Sequence, residues 1–262
     1  MPLTEFQRSI LLLLREHRNP NSYVAGGVAI HRGESSLRRS SDIDFFHDTD
    51  EAVSSCSRSD LELLRKSGYS VELLIDQPSY VRAVIRRGSQ SLKLEWARDT
   101  AFRFFPAVED DELGYRLHDV DLAVNKCLAL ANRNEVRDII DLIQMHRDVI
   151  ALYAACWGAC GKDPGFTPEL LLDCMKRNSI IRPEQLAAES LTRDMSPVEL
   201  KEEWLALLSR TEEALASLPP SDLGCVYLDP TGEVVHSPAE GKLDDMRRHF
   251  GSVGGSWPRV VR

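Results

Sequence analysis

Two different hydrophobic periods divide this chain, and that division limits what it can fold into. In the first part the apolar residues alternate. Residues 70–75, 80–86 and 91–97 are strand candidates, and in the last of these Leu92, Leu94 and Trp96 share one face while Lys93 and Glu95 share the other. Residues 23–25 and 42–46 are shorter strand candidates. Leu3, Phe6, Ile10, Leu13 and Leu14 give residues 3–17 a helical period, ended by Asn19-Pro20-Asn21. Further helical turns are expected after Gly27, over residues 28–31, and over residues 60–67, which stop at Gly68. From about Asp119 the spacing becomes helical almost throughout, over residues 119–132, 135–150, 151–160, 168–177, 183–189 and 197–218. Pro219-Pro220 ends the last of these. Residues 225–236 read as a hairpin turning at Asp229-Pro230-Thr231-Gly232, and residues 251–257 as a loosely ordered tail. The expected organisation is an α+β module with a small mixed sheet over residues 1–118. A helical part over residues 119–262 follows, with a short hairpin and tail at its end.

Composition excludes several classes. With 262 residues, 43% hydrophobic and 28% charged, the chain has an ordinary globular balance and enough length for a sizeable core. The apolar run from Ile10 to Leu14 is too short to span a membrane and lacks a cleavage site, so the cytoplasm is the expected compartment, with no membrane partner. The six cysteines form no paired framework and are expected to be free, mostly buried thiols. A net charge of −9 excludes a surface that coats nucleic acid. Basic residues nevertheless gather around one segment, with Arg32, Arg38 and Arg39 before it and Arg82, Arg86, Arg87, Lys93, Arg98 and Arg103 after it. A locally basic cleft of this kind suits a phosphate-bearing substrate.

That segment is SSDIDFF. If residues 42–46 are a strand, Asp42 and Asp44 project together while Ile43 and Phe45 point into apolar packing. Two adjacent carboxylates repel unless a cation lies between them, and Mg²⁺ accepts oxygen ligands from protein and phosphate alike. Glu95 is a candidate third carboxylate if its strand is a neighbour; an exposed Lys-Glu face is the competing reading. Upstream, Tyr23-Val24-Ala25 runs into Gly26-Gly27, where glycine permits close backbone approach to an anion. Later in the chain, Lys126 and Arg133 are seven residues apart on one helix side, and Arg137, Asp138 and Asp141 lie within one turn of the next helix. A salt-bridge cluster joining the two helices accounts for them equally well. His31, His47, His118 and His146 have no partner at metal or triad spacing.

The segments YVAGGVAIHRGESSLRRSSDIDFF (residues 23–46) and DLAVNKCLALANRNEVRDIIDL (residues 121–142) together resemble the nucleotidyltransferase fold of the DNA polymerase β type. More narrowly they resemble the AbiEii/AbiGii-type toxin nucleotidyltransferases. Gly26-Gly27 stands where many polymerase β-type transferases carry Gly-Ser, and it matches the AbiEii-like members. The resemblance implies a polymerase β-like module whose active site is completed by the helical part. It implies Asp42 and Asp44 as Mg²⁺ ligands, Glu95 and Asp138 as further catalytic residues, and Gly26, Gly27, Ser41, Lys126, Arg133 and Arg137 as nucleotide-binding residues. The implied partners are a nucleoside triphosphate, an acceptor that is RNA (a tRNA 3′ end) or a protein hydroxyl, and a cognate antitoxin. Two rivals stay open on the residues alone: a DxD glycosyltransferase, and a non-catalytic nucleotide-binding or interaction module.

Overall fold

The computed structural model describes residues 3–258. In chain order the elements are α1 (Glu5–Leu14), β1 (Ser22–Ala25), α2 (Gly26–Ile30), β2 (Asp42–His47), α3 (Asp50–Lys66), β3 (Ser70–Gln77), β4 (Tyr80–Arg87), β5 (Gln90–Arg98), β6 (Phe102–Arg103), β7 (Val108–Asp110) and β8 (Gly114–Arg116). They continue with α4 (Asp119–Asn132), α5 (Val136–Asp148), α6 (Leu152–Lys162), α7 (Pro168–Arg177), α8 (Pro183–Ala188), α9 (Pro197–Leu215), β9 (Cys225–Leu228), β10 (Arg247–Phe250) and β11 (Ser252–Val253). Two compact units divide them: residues up to Ala101 with Pro106–His118, and Phe102–Phe105 with the residues from Asp119 onward.

The first unit is built on a seven-stranded mixed sheet in the order β3-β4-β5-β2-β1-β8-β7. The β2–β5 and β1–β8 pairs are parallel and the remaining neighbours antiparallel. Alternation sends Ile43 and Phe45 of β2 and Leu94 and Trp96 of β5 into the core, where Phe45 stacks on Trp96 with ring centroids 5.6 Å apart. Helices α1 and α3 pack on the sheet. Thr4 opens α1 through a capping box with Gln7, and Thr49 caps α3 by accepting from the Ala52 amide.

Helix α3 is ten residues longer at its start than residues 60–67 would make it. Its buried stripe is Val53, Ser57, Asp60, Leu61 and Leu64, at helical spacing. Two of these five positions are polar, so the apolar signal only becomes visible at Leu61. Asp60 tolerates full burial because three donors surround it: Arg18 at 2.6 Å, His17 at 2.6 Å and the Trp96 indole at 2.8 Å.

The second unit holds α4 to α9 with two small sheets. Pro168 and Pro197 open α7 and α9 at positions where no amide donor is needed, behind the caps Thr167 and Ser196. All six thiols are free, with Cys127, Cys156, Cys160 and Cys225 buried. Trp157 and Trp204 are core residues whose indoles donate to the Asp222 carbonyl and to Ser179 Oγ. Buried Asp121 accepts from the amides of Phe104 and Phe105, and burial pushes its carboxyl up to about 6.

Two expectations need correction here. The Asp229–Gly232 turn forms, but beyond an isolated bridge between Leu228 and Val234 the ladder partner of β9 is β10, eleven or more residues past the expected hairpin. A Pro-containing turn closes the chain locally, but nothing in residues 233–236 sustains alternation against the apolar Cys225–Leu228 strand. Residues 251–257 are not a loose tail: β11 pairs with β6, the Ser256 amide donates to the Phe104 carbonyl, and Trp257 packs on Phe105.

Candidate active site

In the first unit the parallel register of β2 and β5 sets Asp42 beside Lys93 and Asp44 beside Glu95. With a period of two, all four side chains fall on the sheet face opposite Phe45 and Trp96. Oxygens of Asp42, Asp44 and Glu95 come within 4.8 Å of one another. Asp42 is buried, and the other two are half-buried.

The chain around this cluster is built to hold it. Ser40 Oγ donates to Asp42 Oδ1 at 3.2 Å and to its carbonyl at 3.1 Å. Gln7 of α1 in turn fixes the Ser40 carbonyl at 2.7 Å. Gly26 lies at φ +64, a conformation open to glycine, and a β-carbon there would meet Asp44 Oδ2 at 1.9 Å. A β-carbon at Gly27 would meet Ser40 Oγ at 2.6 Å and the Arg38 guanidinium at 2.8 Å. The double glycine is therefore required by the carboxylates and their support, whatever ligand the turn meets.

Three donors converge on Glu95. Lys93 Nζ lies 3.0 Å from Glu95 Oε1 and 2.9 Å from Asp42 Oδ2, and Arg82 Nε of β4 lies 3.0 Å from the same Glu95 oxygen. Burial works against the charge of Glu95, but hydrogen bonds from Tyr80 and Lys93 and the charges of Lys93 and Arg82 outweigh it and hold its carboxyl below the usual range. Burial first, and Glu95 next, push the Tyr80 phenol up to about 12, so it stays a donor. For Lys93, too, burial is outweighed by its two carboxylate partners, which keep the ammonium charged.

The fold brings together Asp42, Asp44, Glu95 and Gly26 at one place. The serine beside the carboxylates is Ser40; Ser41 is exposed. Of the basic residues flanking SSDIDFF, Lys93 and Arg82 turn onto the carboxylates, Arg86 onto Glu72 and Arg98 onto Asp50. Arg38 is buried, and Arg103 is buried in the second unit. Alternation had already placed Lys93 on the Glu95 face; the parallel register that also brings it to Asp42 is a long-range property no local pattern reveals. Arg82 and Tyr80 lie on a third strand and were legible only as part of a basic stretch.

In the second unit Lys126, Arg133, Asp138 and Asp141 form one cluster joining α4 to α5. Lys126 Nζ lies 2.8 Å from Asp138 and 2.7 Å from Asp141, and Arg133 makes a fork to Asp138 at 2.7 and 3.1 Å. Both aspartates are fully buried, and Lys126 is 8% exposed. Burial opposes the charge on Asp138, but Lys126 and Arg133 hold its pKa below the usual value. Arg137 has its Nε 4.0 Å from Glu135.

The mixed sheet with its glycine turn and β2 carboxylates has the fold of nucleotidyltransferases. Solved structures that resemble it include MenT4, a nucleotidyltransferase toxin from Mycobacterium tuberculosis, with TM-score 0.57 and 17% identity over 82% of this chain and 83% of that one. A crystal structure from H. pylori, assigned as a nucleotidyltransferase, gives TM-score 0.51 and 17% identity over 83% of this chain and 99% of that one. JHP933 from Helicobacter pylori gives TM-score 0.50 and 16% identity, covering 82% and 95%. No protein-family model matches the chain, and no curated protein matches it by sequence.

Proposed function

We propose that this protein is a Mg²⁺-dependent nucleotidyltransferase that moves a nucleoside monophosphate from a nucleoside triphosphate to a hydroxyl acceptor. The observation that carries this reading is the convergence of Asp42, Asp44 and Glu95 within 4.8 Å on one sheet face, with Gly26 backed onto Asp44. The donors are all carboxylate oxygens and partly open to solvent, which fits a hard cation such as Mg²⁺. Asp42, Asp44 and Glu95 would hold it, and when bound it supplies charge neutralisation at the transferring phosphate.

The protein's own residues divide the remaining work. Ser40 and Gln7 fix Asp42, and the bare backbone at Gly26 lets Asp44 stand against the turn. Glu95, held by Tyr80 and Arg82 and, before a metal enters, by Lys93, is placed to bind or deprotonate near the attacking oxygen. The acceptor hydroxyl attacks the α-phosphorus in line, its proton passes to Glu95 or to solvent, the bond to the α–β bridging oxygen breaks, and pyrophosphate leaves.

Lys126, Arg133, Arg137 and Asp138 stay in this proposal as residues that serve nucleotide binding and the reaction, and the helical part as the segment that completes the site. This assignment rests on the resemblance of residues 121–142 to the toxin transferases. RNA, particularly a tRNA 3′ end, or a protein hydroxyl is the proposed acceptor. A toxin role with a cognate antitoxin, and a cytoplasmic location, are proposed on the same likeness. Among the described residues no helix is long and apolar enough to cross a membrane. The fold likeness favours this reading over a nucleotide-sugar enzyme. Incubation with each α-labelled triphosphate, Mg²⁺, total RNA and total protein tests it, with nucleotide-sugars as the competing donor. A label that moves only from nucleotide-sugars would overturn it.

A further inference from the structure

Lys93 is placed by the same alternation that builds the carboxylate face. In the β2–β5 register it stands opposite Asp42, and it precedes Glu95 by two residues on its own strand. Its ammonium therefore reaches both, at 2.9 Å from Asp42 Oδ2 and 3.0 Å from Glu95 Oε1. These are oxygens of the very groups that would ligate a divalent ion. An ammonium and a divalent cation repel at such range and compete for the same lone pairs. Arg82 differs: of the three carboxylates it pairs with Glu95, from the neighbouring strand.

Resting on the reading above, we propose that Lys93 is the internal counter-ion of the Asp42–Asp44–Glu95 triad, and that divalent-metal binding is an exchange in which its ammonium gives up these carboxylates. The side chain is 34% exposed, so its four-carbon stem has a path toward solvent when it is displaced. In the metal-free protein Lys93 relieves repulsion among three carboxylates. The same contact weakens the site for metal, because each metal ion that enters must break two ion pairs. Lys93 is thus a positioning residue that sets metal affinity, and it acts through the ligands.

The test is calorimetric titration with MnCl₂ alone, without nucleotide, at fixed pH and ionic strength. Wild type is compared with Lys93→Met, Lys93→Arg and Arg82→Met, and the melting temperature of each is read with and without Mn²⁺. Lys93→Met is expected to bind Mn²⁺ about five- to tenfold more tightly than wild type, while melting at a lower temperature when metal-free. Added Mn²⁺ should restore more of its stability than it adds to wild type. Lys93→Arg keeps the charge and should stay near wild-type affinity, and Arg82→Met should change affinity less than Lys93→Met. Lys93→Gln gives the same readout if the methionine variant fails to fold. Wild-type or weaker Mn²⁺ affinity in the neutral variants, or no Mn²⁺ binding by any protein, overturns the proposal. The transferase reading fails separately: wild type that shows this calorimetric pattern yet moves no nucleotide contradicts that reading and leaves the exchange standing.

Discussion

Two ionic clusters of this molecule use the same residue types to opposite effect. In the first unit, Lys93 bridges Asp42 and Glu95, Arg82 pairs with Glu95, and Asp44 and Glu95 are half-buried. In the second unit, Asp138 and Asp141 are fully buried and close on Lys126, with Arg133 forking onto Asp138 from the surface. The first arrangement stands on strands whose other face is core, so its charges are carried by a rigid sheet and remain reachable. The second lies between two packed helices, where each charge is needed to keep another buried. A carboxylate pair in a sequence is therefore ambiguous until its burial is known, and burial depends on what the opposite face of its element packs against.

The largest expected effect separates the clusters by activity. Asp44→Ala should lower nucleotide transfer by roughly 10³-fold, because a metal ligand is lost, while the melting temperature changes by no more than a few degrees. A labelled-triphosphate assay beside a thermal melt reads both. Next, Lys126→Met should cost about 3–5 kcal/mol of stability, because it leaves two buried carboxylates without their shared ammonium. Urea unfolding measures this, and a stability equal to wild type would show that the second cluster is not structural. Arg133→Met removes a side chain that is 48% exposed and should cost far less. If it nevertheless abolishes transfer in a fully folded protein, the nucleotide-binding role proposed for this residue is supported.

A smaller effect sharpens the link between turn and carboxylates. Gly26→Ala combines a positive φ with a β-carbon 1.9 Å from Asp44 Oδ2, and should destabilise by about 1–3 kcal/mol. Because the strain falls on Asp44, transfer and Mn²⁺ affinity should suffer more than stability. The reverse pattern would reduce Gly26 to an ordinary turn glycine.

The smallest effects are opposite pH slopes in the two units. Burial, then the charge of Arg18, push His47 down to about 4 from its ordinary 6.5. Between these values the unfolded chain binds more protons, so stability falls as pH drops through that window. Asp121 is the converse, raised from 3.8 to about 6 by burial. There the native state holds the extra proton, and stability falls as pH rises through the window. Amide exchange from pH 4 to 7 should show protection of β2 weakening toward acid and that of α4 strengthening. Parallel slopes in both units would contradict this assignment.

How much of this was legible in the sequence depended on how local each signal is. A short apolar run marks β1 and local patterning marks β2 to β5, and Asp42, Asp44 and Glu95 follow from alternation plus one neighbour relation. Helix α3 was shortened by ten residues because Ser57 and Asp60 occupy its buried stripe, and Asp60 is satisfied only by Arg18, His17 and Trp96 from distant segments. The β9–β10 and β6–β11 pairings join segments far apart in the chain, so the hairpin and tail were misread. Nothing local separates Ser40 from Ser41; the hydrogen bond to Asp42 distinguishes the two. Gly26 was seen as a place for an anion to approach, whereas the anion that demands it is the protein's own Asp44.

Nucleotidyl transfer is the activity proposed for the Asp42–Asp44–Glu95 triad. It is tested most directly by following α- and γ-labelled nucleoside triphosphates with total RNA and protein as acceptors, in Mg²⁺ and in EDTA, for wild type and Asp44→Ala. Wild type is expected to move the α-label to an acceptor and release the γ-label as pyrophosphate, EDTA to stop both, and Asp44→Ala to do neither while staying folded. Transfer of the γ-label to the acceptor, or wild-type transfer by Asp44→Ala, would contradict it.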